Sequence, residues 1–232
     1  MIKILSVKTR RSDSTREAFR RHYEEWHVPL GLGFIDRFRW RRYVRNHVVA
    51  VHRGSVDFDC LTEFWVGSRS DQESTRAFAA TPDFRTFDED DLRFLDVSRR
   101  FSCELSESHV AGPTPDRARP GDRKLAALFA RPAGVDPARF AASIDAELRR
   151  LVGAGLPSGA WLVLDRREGD GDLAAARPGE FAAIVSLGGT ARIPKALDWF
   201  AWQGEYAPVA VFEAEPVETP ARLLYGGGRP TA

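Results

Sequence analysis

The sequence has very little cysteine, almost no excess charge and no long apolar run, and each shortage excludes a class of protein. Only two of its 232 residues are cysteine, so neither a disulfide framework nor a cysteine-based metal site is expected. Basic and acidic residues nearly balance, 34 against 33, which argues against a nucleic-acid partner. No stretch approaches the roughly 18 apolar residues that a membrane span needs. We therefore expect a soluble, cytoplasmic protein with neither a nucleic-acid nor a membrane partner.

Histidine is missing from the second half of the chain. There are five histidines, and none of them follows His109. Imidazole is the side chain that most readily exchanges protons near neutral pH. Any histidine chemistry must therefore be carried by the N-terminal half.

A segment rich in proline, glycine and charge, residues 111–122, separates two halves of similar length and similar pattern. The strand-like run at residues 3–10 recurs at residues 124–131, and the same offset of 121 residues places Phe19 on Phe140. We predict a domain at residues 1–110 that carries the site, a linker at 111–122, and a degenerate structural domain at 123–232.

Each half is predicted to follow the order β-α-β-β-α-β. In the first half we expect strands at 3–10, 38–51, 59–66 and 101–105, with helices beginning near residue 14 and around 71–80. In the second half we expect strands at 124–131, 160–165, 181–187 and 209–214, with helices beginning near 136 and around 194–202. This is the order of the ferredoxin-like fold. The predicted class is α+β, with two ferredoxin-like βαββαβ units in tandem and their sheets packed face to face.

The first helix of each half has a stripe of residues at helical spacing, and the two stripes differ in polarity. In the second half the stripe is apolar, with Phe140, Ile144 and Leu148. At the matching positions of the first half it reads Phe19, Tyr23 and His27. A histidine in place of a core leucine predicts a site under this helix, with His27 as general acid or base. The alternative is a core histidine at the C-terminal end of the helix, where the helix dipole favours a cation.

The strands of the first half also carry polar side chains that the second half lacks. Period-two alternation places Tyr43 and His47 on one face of their strand and Asn46 on the other. Glu63 shares its face with Leu61 and Trp65, so it is either exposed or a buried acid that needs a partner, and we favour the buried position. Either Asp59 or Glu63 could orient a histidine tautomer. The acidic run Asp88–Asp91 is predicted to be a solvated turn or helix start.

Four motifs in this half, taken together, resemble the EthD-domain family of the dimeric α+β-barrel superfamily. They are Phe19-x-x-His22-Tyr23-x-x-x-His27-x-Pro29-Leu30, Arg42-Tyr43-Val44-x-Asn46-His47, Asp59-x-x-x-Glu63-x-Trp65 and Asp91-x-x-Phe94-x-Asp96. The resemblance covers residues 1–107, and the second half resembles the fold alone. It implies a small-molecule enzyme that uses neither metal nor nucleotide, and it implies that the paired sheets form an internal dimeric α+β barrel.

We predict a cofactor-independent lyase, cyclase or isomerase, of dehydratase or decarboxylase type, that acts on an aromatic or polyketide-like substrate. Two alternatives stay open: a cofactor-free monooxygenase of the same fold, and a heme-binding or aromatic-metabolite-binding protein. The chain is expected to be a monomeric pseudo-dimer or a homodimer, with no metal and no cofactor. The predicted catalytic residues are His27, His47, Tyr43 and Asp59. The predicted substrate-binding residues are His22, Tyr23, Trp26, Trp40, Asn46, Glu63 and Trp65.

Overall fold

The computed structural model describes residues 1–115, 117–168, 181–189, 197 and 200–227, which form a mixed α/β fold. No helix among these residues is long and apolar enough to cross a membrane. The elements, in chain order, are β1 (Ile2–Lys8), α1 (Arg16–His22), a π-helical turn (Tyr23–His27), α2 (Val28–Gly33), α3 (Ile35–Phe38), β2 (Trp40–Gly54), β3 (Cys60–Val66), α4 (Arg69–Ala79), α5 (Arg85–Phe94), β4 (Phe101–Ala111), β5 (Lys124–Phe129), α6 (Pro137–Gly153), β6 (Trp161–Arg167), β7 (Ala183–Gly188) and β8 (Ala210–Glu218).

The predicted strands are all present, whereas three helices were not predicted. These helices are α2, α3 and α5. Phe38 was expected to begin a strand but ends α3, because Arg39 adopts a left-handed conformation with φ 55° and the strand begins only at Trp40. The helix expected around 194–202 lies largely outside the described residues.

The chain divides into two compact units. Unit 1 contains residues 1–47, 58–104 and 217–227, and unit 2 contains residues 48–57 together with the described residues between 105 and 216. Strands β2, β4 and β8 contribute residues to both units. The unit boundaries therefore differ from the domains expected at 1–110 and 123–232, and that division stays a prediction.

In unit 1, an antiparallel sheet has β3 between β1 and β2. The register places Lys8, Cys60 and His47 in one row across the three strands. The next rows are Ser6–Thr62–Arg45 and Ile4–Phe64–Tyr43. The side chains of these rows face the helices, since Cys60, Tyr43, Ile4 and Phe64 pack in the core that contains the buried Phe19 and Tyr23 and the other members of the rows share their face.

The last described residues of the chain complete unit 1. Glu218 accepts two hydrogen bonds from the Arg42 guanidinium, at 3.1 and 3.0 Å. Thr219 Oγ1 accepts one from the buried Arg45, and the Thr219 backbone N–H donates to the carbonyl of Tyr43 at 3.0 Å. Two buried or half-buried arginines of β2 are thus paired by residues far away in sequence.

In unit 2, β5 pairs with β7 and β8, and β6 pairs with β7 and with the second part of β4, all antiparallel. Helix α6 begins as expected, with Asp136 accepting a hydrogen bond from the Arg139 N–H at 2.9 Å and Pro137 in the first turn. Its predicted apolar stripe is confirmed as core. The stripe consists of Phe140, Ile144, Leu148 and Leu151.

Candidate active site

The polar stripe of unit 1 runs along α1 into a π-helical turn at Tyr23–His27. The N–H of Val28 donates to the carbonyl of Tyr23, five residues back. Pro29 follows, and because proline has no N–H and its ring crowds the carbonyl four residues earlier, a regular α-helical turn is disfavoured there. Tyr23 and His27 are both buried. Such single π-helical turns occur frequently at functional sites.

A carboxylate of helix α5 holds His27. Its Nδ1 lies 2.9 Å from Oδ2 of Asp90 and 3.5 Å from Oδ1 of Asp91. The other oxygen of Asp90, Oδ1, lies 2.9 Å from Nε2 of His22, so that one carboxylate bridges two imidazoles. The His22 ring also stacks on Phe94 at a centroid distance of 4.6 Å.

Burial makes His27 a neutral imidazole at physiological pH. Desolvation lowers its pKa, and the hydrogen bond to Asp90 and the charge of Asp91 oppose only part of that shift. When Nδ1 donates its hydrogen to Asp90, the lone pair is on Nε2. This is the tautomer that can accept a proton through Nε2.

A second carboxylate, Glu24, pairs with two cations of β2. Its Oε1 lies 2.6 Å from Nε2 of His47, and its two oxygens accept from Nε and Nη2 of Arg45 at 3.1 and 2.8 Å. Burial would lower the pKa of His47, but Cys60 and the Glu24 carboxylate outweigh it and raise that pKa to about 9. At Glu24, burial would raise the pKa, but the hydrogen bonds and charges of His47 and Arg45 outweigh it and lower that pKa to about 2. His47 is therefore an imidazolium at neutral pH.

Tyr23 connects the two histidine clusters. Its ring lies edge-on to His27 and to His47, with centroid distances of 5.2 and 5.9 Å. Its hydroxyl is 2.7 Å from Oγ1 of Thr62. Burial raises the pKa of both Tyr23 and Tyr43, so both phenols stay protonated at neutral pH.

Glu63 and Asn46 lie on the opposite face of the sheet. The prediction that Glu63 is buried is confirmed, and its partners are Nζ of Lys3 at 3.0 Å and Nδ2 of Asn46 at 2.8 Å. The ring of Trp65 makes cation–π contacts with Lys3 and Arg42, whose charged groups each lie 4.9 Å from the ring centroid. These predicted substrate-binding residues are brought together with one another, and alternation along β2 separates them from His47.

Three other predicted site residues are placed outside the histidine clusters. Asp59 was expected to orient a histidine, but it forms ion pairs with Arg10 and Arg16. Trp26 was expected to line a substrate site, but it is 66% exposed because it lies on the outer side of the π-helical turn. Trp40 stacks on Phe38 at a centroid distance of 4.3 Å and belongs to the apolar core of unit 1.

The carboxylates that contact the histidines were missed. The expectation of a solvated turn at Asp88–Asp91 is wrong for Asp90 and Asp91, which are buried in α5. The spacing of Phe87, Asp91 and Phe94 was the available signal, since it places Asp91 on the apolar face of a helix. Glu24 had no such signal, because it lies outside the stripe that runs through Tyr23 and His27.

Within the described ranges, there is no group of three or more histidine, cysteine, aspartate or glutamate residues that could hold a metal ion.

Comparison with known proteins identifies a family for the first half. Residues 11–98 match the EthD domain family, which confirms the resemblance seen in the motifs. No curated protein matches the sequence.

Solved structures resemble nearly the whole chain at low sequence identity. One, described as an anthrone oxidase-like protein, has 14% identity and a TM-score of 0.50, with 94% of this chain and 92% of that chain covered. A candidate chlorite dismutase has 9% identity and a TM-score of 0.50, covering 96% and 97%. A candidate monooxygenase from Lactobacillus acidophilus has 9% identity and a TM-score of 0.44, covering 95% and 96%.

Proposed function

From the match of residues 11–98 to the EthD domain family, we propose that the protein is a small-molecule enzyme that transfers protons. The observation that carries the proposal is the contact of 2.9 Å between Nδ1 of His27 and Asp90. A buried imidazole held through Nδ1 by a carboxylate is the arrangement of a general base. The reaction class that suits it best is a cofactor-independent lyase, cyclase or isomerase.

In the proposed step, Nε2 of His27 removes a proton from a carbon or hydroxyl of the substrate. The imidazolium that forms is stabilised by two carboxylates, since Asp90 and Asp91 lie 2.9 and 3.5 Å from Nδ1. Because burial lowers the pKa of His27, the resting imidazole is unprotonated and ready to accept. In the second half of the reaction, the same nitrogen returns the proton to the product.

His47 and the two tyrosines supply electrostatic support rather than a second base. His47 carries its proton at neutral pH and is paired with Glu24, so it contributes a fixed positive charge. The Tyr23 hydroxyl is hydrogen-bonded to Thr62 at 2.7 Å, which restricts its orientation. Preorganised dipoles and charges of this kind favour a transition state in which negative charge develops.

The substrate class is aromatic or polyketide-like. Support comes from the aromatic side chains around His27, namely Tyr23, Phe87 and Phe94, with ring centroids 5.1 to 5.2 Å away.

We further propose a cytoplasmic protein without metal or cofactor, in which two ferredoxin-like units make up a monomeric pseudo-dimer or a homodimer. A cofactor-free monooxygenase is the second candidate, and the name of the anthrone oxidase-like structure favours it.

Anthrone is a suitable probe, because base catalysis exchanges its methylene hydrogens with deuterium in heavy water. We expect the wild-type protein to catalyse this exchange under nitrogen. His27→Ala should reduce it by about 10²- to 10⁴-fold while the circular dichroism spectrum is retained. His109→Ala is the matched control, since His109 is exposed and its ring contacts the carbonyl of Pro113. Exchange by His27→Ala at the wild-type rate would contradict the proposal.

The same probe separates the alternatives. In air, a monooxygenase would consume O₂ and convert anthrone to anthraquinone and water. Exchange under nitrogen without O₂ consumption in air would support the lyase, cyclase or isomerase class. A Soret band after addition of hemin, together with no turnover of anthrone, would indicate a heme-binding protein.

A further inference from the structure

Lys8, the last residue of β1, is a buried cation without a partner. Its side chain is only 9% exposed. Among the described residues, no hydrogen bond or ion pair of its ammonium group is found. Burial of an unpaired charge is costly, and it lowers the pKa of Lys8 despite the opposing charge of Asp91.

The sheet register places Lys8 beside the histidine clusters. Lys8, Cys60 and His47 form one row on the helix-facing side of the unit 1 sheet. The charged and titratable groups that act on Lys8 are Asp91, Arg100 and Cys60, and Lys8 in turn acts on His27. The unpaired ammonium is therefore part of the environment of the proposed base.

An unpaired acceptor belongs to the same environment. Oδ2 of Asp91 accepts from Arg100 at 2.8 Å, but Oδ1 is buried and has no hydrogen bond. Oδ1 lies 3.5 Å from Nδ1 of His27. A largely buried lysine without an ion pair and a fully buried acceptor oxygen without a hydrogen bond indicate a place for a ligand group that interacts with both, such as an enol or phenol oxygen.

The fold itself does not require a lysine at this position. At the offset of 121 residues, Lys8 corresponds to Phe129 of β5, which is fully buried in the apolar core of unit 2. The other lysine of β1, Lys3, is also buried but is paired with Glu63 at 3.0 Å. The positive charge of Lys3, whose role is structural, is thus compensated by the carboxylate of Glu63, whereas the charge of Lys8 has no such ion pair.

We propose that Lys8 is a catalytic residue whose ammonium group binds the substrate oxygen on which negative charge develops when His27 removes a proton. This inference rests on the proposed function and adds a residue to it. In the step, the C–H or O–H bond of the substrate breaks and its proton goes to Nε2 of His27. The electron pair is delocalised onto the oxygen, which becomes an enolate or phenolate and accepts a hydrogen bond from Lys8.

The test measures binding of 4-nitrophenol, whose phenolate form has its own absorption band, so no turnover is needed. We expect the wild-type protein to bind phenolate more tightly than phenol, which lowers the pKa of the bound probe. Lys8→Met should weaken phenolate binding by roughly tenfold or more and remove about one unit of that shift. Lys8→Arg, which keeps the charge, should retain most of it. Lys3→Met is the matched control and should leave the shift unchanged in the folded fraction.

Lys8→Met is expected to remain folded, because it removes an unpaired buried charge. Its melting temperature should equal or exceed that of the wild type. The proposal is overturned if Lys8→Met keeps the full shift or if the wild-type protein does not prefer phenolate. It is also overturned if borohydride traps a covalent anthrone adduct on Lys8, since that would show imine formation instead. Loss of the shift in Lys8→Met with full anthrone exchange by His27→Ala would contradict the proposed function alone.

Discussion

The pair of His47 and Glu24 predicts how the stability of the protein changes with pH. Folding raises the pKa of His47 from 6.5 to about 9. The folded protein therefore binds this proton more tightly than the unfolded chain. The resulting stabilisation is complete below the unfolded pKa of 6.5, and it is lost as the pH rises through about 9. Glu24, whose pKa is lowered from 4.5 to about 2, sets the acid limit: its contribution is complete above 4.5 and is lost as the pH falls towards 2.

The magnitude follows from the shift of His47. A change from 6.5 to about 9 corresponds to about 3 kcal/mol of unfolding free energy. Solvent screening removes little of this value at His47, whose side chain is only 4% exposed, and more at Glu24, whose side chain is 22% exposed.

Urea denaturation of the wild type and of His47→Gln at several pH values measures this contribution directly. We expect the difference in unfolding free energy between the two to shrink by about 3 kcal/mol from about pH 6 to about pH 10. The acid limit at Glu24 does not enter this range. His109→Gln, which removes an exposed histidine, is measured at the same pH values as the control for loss of an imidazole. A difference for His47→Gln that stays constant with pH would show that His47 is neutral in the folded protein and would refute the reasoning.

Two further predictions concern the base and the core. Asp90→Asn removes the carboxylate that lies 2.9 Å from Nδ1 of His27, and the amide that replaces it favours the wrong tautomer of the imidazole. Anthrone exchange, measured by proton NMR in heavy water, should therefore fall by up to about 10⁴-fold. Exchange at the wild-type rate would show that Asp90 does not orient the base. Leu148→Ala removes a side chain that is 2% exposed in the core of unit 2, so the unfolding free energy should fall by about 2–5 kcal/mol, whereas a loss below about 1 kcal/mol would indicate that the site collapses around the smaller residue.

Most of the fold could be predicted, because strands such as β3, β5 and β7 are short apolar runs that are buried along most of their length, and helix α6 buries one regular face. The stripe of α6 has apolar residues at every third or fourth position, and burial follows that spacing. Helices α2, α3 and α5 escaped prediction for local reasons. Helices α2 and α3 are 6 and 4 residues long, too short for a periodic pattern, and α5 has acidic residues on its buried face.

The residues of the candidate site whose positions follow from strand or helix periodicity could be predicted, whereas the carboxylates that pair with the histidines could not. Alternation along β2 places Tyr43 and His47 on the face that points to Tyr23, as the structure shows. The carboxylate partners could not be deduced, because Asp90 reaches His27 from a helix 63 residues away in sequence. A carboxylate that looks like part of a solvated acidic run becomes a buried partner only through tertiary contacts.

Residues 217–227 follow unit 2 in sequence but belong to unit 1, and this affects how the chain can fold while it is being synthesised. The ribosome makes the chain from the N-terminus, so the partners of Arg42 and Arg45 at Glu218 and Thr219 emerge after all of unit 2. Unit 1, which carries the histidines, can therefore be completed only when the whole of unit 2 has been translated. A fragment that ends at residue 110 would leave both arginines without these partners, so the half that is made first is the half that is finished last.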